Sequence, residues 1–230
     1  MFAPEETTDL PEVARRFLSS ALSPGAEVAP TVLLETEGEI KLKDWVPFRG
    51  RQVLTAGEGF VWEATAGRPP VVFKGGDTYW KGKGSLDFRL WGLIPVVRAS
   101  GPDVDRSSAS RLAIETAAWV PQALTSRMGA QWRGVDPSTA VVTVPAGDQS
   151  LDVTITIDGE GRLIHLTTLR WGDPEPGVFD MHVFGGSIDA HSEFSGVTIA
   201  TQGRVGWWWG TERQSEGEFF RYRITDARVG

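Results

Sequence analysis

The chain of 230 residues contains no cysteine. This excludes disulfides, thiolate metal ligands and a cysteine nucleophile. Basic charge is also scarce. Against 30 aspartates and glutamates stand 23 lysines and arginines, giving a net charge of −7, and no basic run could track a phosphate backbone. No nucleic-acid partner is expected. No apolar stretch approaches the ~20 residues of a membrane-spanning helix, and the opening "MFAPEETTDLPEVARRF" is acidic where a signal peptide would be basic. The expectation is a soluble, cytoplasmic protein without a membrane span.

The familiar catalytic and cofactor signatures are missing as well. There is no G-x-S-x-G nucleophile elbow and no G-x-G-x-x-G or phosphate loop between a strand and a helix. "GKGS" at 82–85 reads as a turn between strands, so no cofactor is expected. Of the three histidines, His182 and His191 share "FDMHVFGGSIDAHSEF" with Asp189 and Glu193. A hairpin at "GG" would let the two histidines face each other. With no H-x-x-x-H on a helix, however, no metal site is predicted.

What is abundant is tryptophan: ten, against two tyrosines. Each aromatic side chain buries about 150–250 Å², so ten supply ample apolar wall, either for a core or for a ligand cavity. Pattern then sets the architecture. Asp9 can cap a first helix in which Val13, Ala14, Phe17, Leu18, Ala21 and Leu22 recur at helical spacing, and "SPGAE" ends it. From Thr31 to Ser100 the period changes to two. Ile40 and Leu42 alternate with Lys41 and Lys43, Phe60 and Trp62 with Val61 and Glu63, and Leu86 and Phe88 with Asp87 and Arg89. "FKGGDTYW" and "WKGKGSL" read as strand-turn-strand connections.

A second helix is predicted over about 108–124. Strands then resume: Leu151, Val153, Ile155 and Ile157 share one face, and "DGEG" makes a hairpin turn. No repeat or linker divides residues 1–230, so a single domain is expected. Helix, strands, helix, strands, with perhaps ten antiparallel strands in all, predicts a mainly β (α+β) fold. A curved antiparallel sheet forms a half-open barrel, with the N-terminal and mid-chain helices as a lid over an apolar cavity.

The segments "LPEVARRFLSSAL", "GFVWEA", "GSLDFRLWGLIPVVRASGPDVDRS", "ETAAWVPQAL" and "RVGWWW…EFFRYRITDARV" resemble, in order and over nearly the whole chain, an uncharacterised bacterial domain family. That family is distantly similar to the lipoprotein-carrier half-barrels (LolA/LolB-like). The resemblance implies the half-open barrel and, by fold analogy, an apolar ligand.

The candidate site residues follow from the helix "AIETAAWVPQAL". On a helical wheel Glu115 borders the apolar arc of Leu112, Trp119 and Ala123, while Ser108, Arg111 and Gln122 form a polar stripe. Glu115 is either a solvated edge partnered by Arg111 or a charge at the wall of an apolar cavity. Pro121 should kink or end the helix. Trp62, Trp80, Trp91, Trp119, Trp207 and Trp209 are the expected cavity residues, with Trp207 and Trp209 sharing one strand face and Trp208 the other. Exposed tryptophan there would suggest a homodimer or partner surface. Arg221 and Arg223 are placed on a solvated face.

Three functions stay open. The first is binding of a hydrophobic small molecule (acyl chain, lipid or polyketide-like). The second is a cofactor-free cyclase or isomerase using Glu115 with Arg111 or Tyr79. The third is a non-catalytic interaction domain.

Overall fold

The computed structural model describes residues 1–230. After a short 3-10 turn (Pro4–Thr7) comes α1 (Glu12–Ala21). Six strands follow: β1 (Thr31–Lys41), β2 (Trp45–Thr55), β3 (Gly59–Arg68), β4 (Val71–Trp80), β5 (Lys83–Leu90) and β6 (Ile94–Ser100). Helix α2 (Pro102–Trp119) leads through two 3-10 turns (Pro121–Leu124 and Ser126–Met128) into β7 (Gln131–Gly134), β8 (Thr139–Ala146), β9 (Gln149–Ile157) and β10 (Leu163–Gly172). Then follow β11 (Asp180–Phe194), β12 (Val197–Trp207), the short α3 (Gln214–Gly217) and β13 (Glu218–Val229).

All 13 strands form one antiparallel sheet in the order β6-β5-β4-β3-β2-β1-β13-β12-β11-β10-β9-β8-β7. Each arm is a meander of hairpins, and the pairing of β1 with β13 joins the arms. The outer edges of β6 and β7 do not pair, so the barrel stays half open.

Alternation decides which face is inside. Val32, Leu34 and Thr36 of β1, Phe60, Trp62, Ala64 and Ala66 of β3, and Val153, Ile155 and Ile157 of β9 are all buried. The convex face carries charge. Glu35 pairs with Arg51 at 2.6 Å, and Glu37 pairs with Arg49 at 3.8 Å and with Arg223. Exposed pairs of this kind contribute at most about 1 kcal/mol each. Their larger effect is to penalise a one-residue slip of register. At one end the arms touch: Gly57 bridges Ala146, the Gly147 amide donates to the Gly57 carbonyl at 2.9 Å, and the Tyr79 hydroxyl donates to the Ala146 carbonyl at 3.3 Å.

Helix α2 connects the two free edges by running through the trough, against β3–β6 on one side and β8–β10 and β12 on the other. It starts at Pro102, six residues earlier than its apolar periodicity predicts. Pro at the first position and Asp103 and Asp105 in the first turn suit a helix N-terminus. Asp105 accepts from the Gly84 amide at 2.7 Å and from Lys83 at 3.1 Å. Gly84 is required there, since a Cβ would stand 2.9 Å from both Ser108 Oγ and the Val104 carbonyl. The helix ends at Trp119, and Pro121 opens a 3-10 turn as its missing N–H dictates. Its polar stripe is not solvated. Ser108 and Gln122 are buried and Arg111 is only 14% exposed, because both arms of the sheet enclose the helix.

Other expectations are corrected in the same way. "FKGGDTYW" lies within β4, and "GG" at 185–186 lies within β11, so neither glycine pair turns the chain. His182 and His191 therefore lie nine residues apart on one strand, at most about 30 Å at ~3.3 Å per residue, and do not face each other. β1 ends at Lys41, leaving Leu42 exposed in the hairpin. Helix α1 packs on β7, β8 and β12, with Phe17 against Trp132 at 6.1 Å. The exposed apolar surface is not at "GWWWG", where Arg213 covers Trp208 at 3.8 Å. Exposed apolar side chains gather instead on and beside edge strand β6, at Trp91, Leu93, Ile94, Val96 and Val97, and on and beside β10 and β11, at Leu169, Val178, Phe179 and Met181. No helix is long and apolar enough to cross a membrane.

An alanine face lets α2 fit between the arms: Ala109, Ala113 and Ala117 are fully buried. Ala117→Leu is expected to destabilise the fold by about 1–3 kcal/mol through overpacking. This would be read as a lower urea midpoint at unchanged m-value, and an unchanged midpoint would mean that the helix is not enclosed on that side.

Candidate functional site

Register brings the site together on the first arm. Leu34, Gln52, Trp62, Asp77 and Leu86 stand in one cross-strand row over β1–β5. Two polar side chains thus flank Trp62 on the face that must be buried. Arg111, reaching out from α2, engages both. Its Nη1 donates to Asp77 Oδ2 at 2.6 Å, its Nε to Glu115 Oε1 at 2.7 Å and its Nη2 to Gln52 Oε1 at 3.3 Å. Gln52 Nε2 closes the ring by donating to Glu115 Oε2 at 2.6 Å. The guanidinium lies over Phe60 at 4.4 Å and Trp62 at 5.2 Å.

Beyond this cluster is a cavity of about 150 Å³. Trp62 and Asp77 form one wall, and Arg111, Ile114, Glu115 and Trp119 of α2 form a second. Leu166 and Arg170 of β10, with Phe184 and Ile188 of β11, form a third, and Phe220 and Tyr222 of β13 form the floor. Trp119 meets Tyr222 edge-on at 5.5 Å and donates through Nε1 to the Ala200 carbonyl at 3.1 Å. Burial raises the Tyr222 hydroxyl well above the usual phenol range and keeps it neutral. Larger depressions on the convex face are lined by Glu35, Glu37, Arg49 and Arg51. Those groups already pair with one another in contact with water.

Burial also raises the Asp77 carboxyl, opposed by Arg111 and Arg170 and reinforced by Glu115. Its Oδ1 is buried and has no hydrogen-bond partner. Arg170 is pushed down to about 10, chiefly by burial and then by Arg111. The burial of His191 lowers its pKa, although its Nε2 lies 2.9 Å from the Leu163 carbonyl.

Of the residues singled out in the sequence, Glu115, Arg111, Trp62 and Trp119 meet at this cavity. Tyr79 does not. Its ring is fully buried at the junction of the arms, its hydroxyl is taken by Ala146, and burial raises its pKa. Trp80 points outward because it alternates with Tyr79, and it is 49% exposed. Trp91 sits in the β5–β6 turn at φ 55°, is 51% exposed and donates to the Pro70 carbonyl at 2.6 Å. Trp207 stands behind the cavity wall, 5.2 Å from Phe184. Trp209 is buried outside the lining, because Trp208 at φ 53° ends the alternation after β12. No motif marks Gln52, Asp77, Arg170 or Tyr222, although Arg170 shares the period-two phase of Leu166 and Thr168.

Fold and site together define a half-open antiparallel barrel with a charged cluster at the edge of an internal apolar cavity. The chain belongs to the family of unknown function DUF6544, whose model matches residues 1–219. No curated protein sequence matches it. Among solved structures it is similar to a LolA-superfamily protein from Nitrosomonas europaea, at 8% identity and TM-score 0.46, covering 95% of this chain and 92% of that one. It is also similar to a domain from Vibrio parahaemolyticus assigned to outer membrane lipoprotein sorting, at 10% identity and TM-score 0.44, covering 95% and 91%. A third is a β-barrel-like protein of the DUF1849 domain from Brucella abortus, at 8% identity and TM-score 0.37, covering 90% and 100%.

Arg111→Met would leave two carboxylates without their cation and is expected to cost about 3–5 kcal/mol of stability, measured by urea unfolding. The Asp77 carboxyl binds its proton more tightly in the folded chain than in the unfolded one. Its contribution to stability therefore falls as pH rises above the ordinary carboxylate range of about 4. The unfolding free energy of wild type minus that of Asp77→Asn should decline as pH rises from about 4, and a difference rising with pH would contradict the assignment.

Proposed function

We propose that the protein binds a small hydrophobic molecule in the cavity between α2 and the second arm of the sheet. The supporting observation is that apolar and aromatic walls from α2, β11 and β13 leave a volume of about 150 Å³ unfilled by the chain. A cavity of about that size accepts benzene, while drug-sized sites run to roughly 300–1,000 Å³. A compact apolar body or the end of an acyl chain therefore fits as the structure stands. A longer lipid or polyketide-like guest would have to extend out of the trough or displace α2.

Toluene and short-chain alcohols, followed by tryptophan fluorescence and thermal unfolding, are the direct test. A ligand at ~100 times its Kd adds about 2.7 kcal/mol, a rise in Tm of about 5–10 °C for a domain of this size. Ala118→Phe, which fills the cavity from α2, should abolish the response. If no apolar compound shifts the wild-type protein, the binding reading falls.

A cofactor-free cyclase or isomerase is the second reading, and the free Oδ1 of Asp77 favours it. Both oxygens of Glu115 are engaged, by Arg111 and Gln52, so the acid-base role passes to Asp77 with Arg111 as its positioning partner. Mass spectrometry and NMR of bound compounds after incubation would reveal turnover. Turnover that survives in Asp77→Asn would remove this assignment.

A further inference from the structure

Two arginines border the same cavity under opposite conditions. Arg111 has all three guanidinium nitrogens engaged, by Glu115, Asp77 and Gln52. Arg170 enters from β10 on the other arm, and its one side-chain hydrogen bond runs from Nε to Ser107 Oγ at 3.1 Å. Neither of its Nη atoms has a partner, and it takes part in no ion pair, whereas Arg111 holds two. Its guanidinium plane lies over Phe184 at 4.5 Å and Trp207 at 5.2 Å. Arg170 is thus a cation fixed in orientation by a hydroxyl and two aromatic faces, with its outer edge unengaged at the wall of an apolar cavity.

Resting on the binding role above, we propose that the ligand is an amphiphilic carboxylate whose head group pairs with the two Nη atoms of Arg170 while its apolar body fills the cavity. A planar guanidinium matches a carboxylate through two parallel hydrogen bonds, and stacking on aromatic rings preorganises that edge. The carboxylates nearby do not take this place, because Asp77 and Glu115 are both bound to Arg111. Burial and repulsion from Arg111 weaken the cationic form of Arg170, so an incoming anion would relieve a cost already present in the unliganded site. The apolar lining of Ile114, Trp119, Phe184 and Ile188 then selects the body of the same molecule.

The test compares probes of one shape and different charge: benzoate with benzyl alcohol, and hexanoate with hexanol, titrated by calorimetry into the full chain. Wild type should bind each carboxylate about 30-fold or more tighter than its alcohol, the ratio for a buried, hydrogen-bonded charge pair. In Arg170→Gln that ratio should fall to near one, and in Arg170→Lys it should be partly retained. Equal binding of acid and alcohol by wild type overturns the inference even if neither variant folds. In that outcome binding of the alcohols leaves the apolar-ligand reading standing. Failure of all four probes and of toluene removes both.

Discussion

The constraint on which the rest of the structure depends is that the Arg111 guanidinium cannot be enclosed without partners. Burying an unpaired cation costs several kcal/mol, and α2 carries this one into the trough between the two arms. Glu115, one turn further along the helix, satisfies one edge. Asp77 and Gln52 satisfy the rest from the sheet. The cluster therefore fixes both the depth and the rotation of α2 relative to β2–β4. Such a cluster adds little net stability over a well-packed apolar one. Its effect is on geometry: other rotations of the helix would strand one of its charges.

Connectivity explains why a helix lies there at all. β6 and β7 are the two free edges of the sheet, and the chain must pass from one to the other. Passing through the trough lets α2 bury its sides against both arms at once, which small residues at positions 109, 113 and 117 permit. What the helix does not fill is the space between Trp62, Trp119 and the β11–β13 wall. The cavity is thus a remainder of packing an alanine-rich helix into a curved sheet. Its polar corner comes from the cluster that holds the helix in place, and its second charge, Arg170, arrives independently from the opposite arm.

Much of the fold was legible in the residues. Period-two alternation at Phe60 and Trp62 or at Val153, Ile155 and Ile157 has one cause, a sheet with one face buried, and that cause is local. So are the "DGEG" hairpin and the helix break at Pro121. Local pattern and structure part where the same residue types serve two geometries. Gly75–Gly76 and Gly185–Gly186 have turn composition but lie in mid-strand, where neighbouring backbone leaves no room for a Cβ. The polar stripe of α2 leaves a solvated edge and a buried charge both open, because its partners Asp77 and Gln52 lie 34 and 59 residues from Arg111. Residue type alone groups Trp80 and Trp91 with Trp62, whereas strand phase and a left-handed turn aim them outward.

The sequence by itself determined the class of fold, the inward face of most strands and the place of the second helix, since each depends on the spacing of apolar side chains along a few neighbouring residues. Only the tertiary structure decided which charges are buried, that Arg111 is fully partnered and Arg170 is not, and how much space remains between α2 and the sheet. Those properties depend on how two arms distant in sequence approach a shared helix, and no local pattern of residues encodes a distance across a trough.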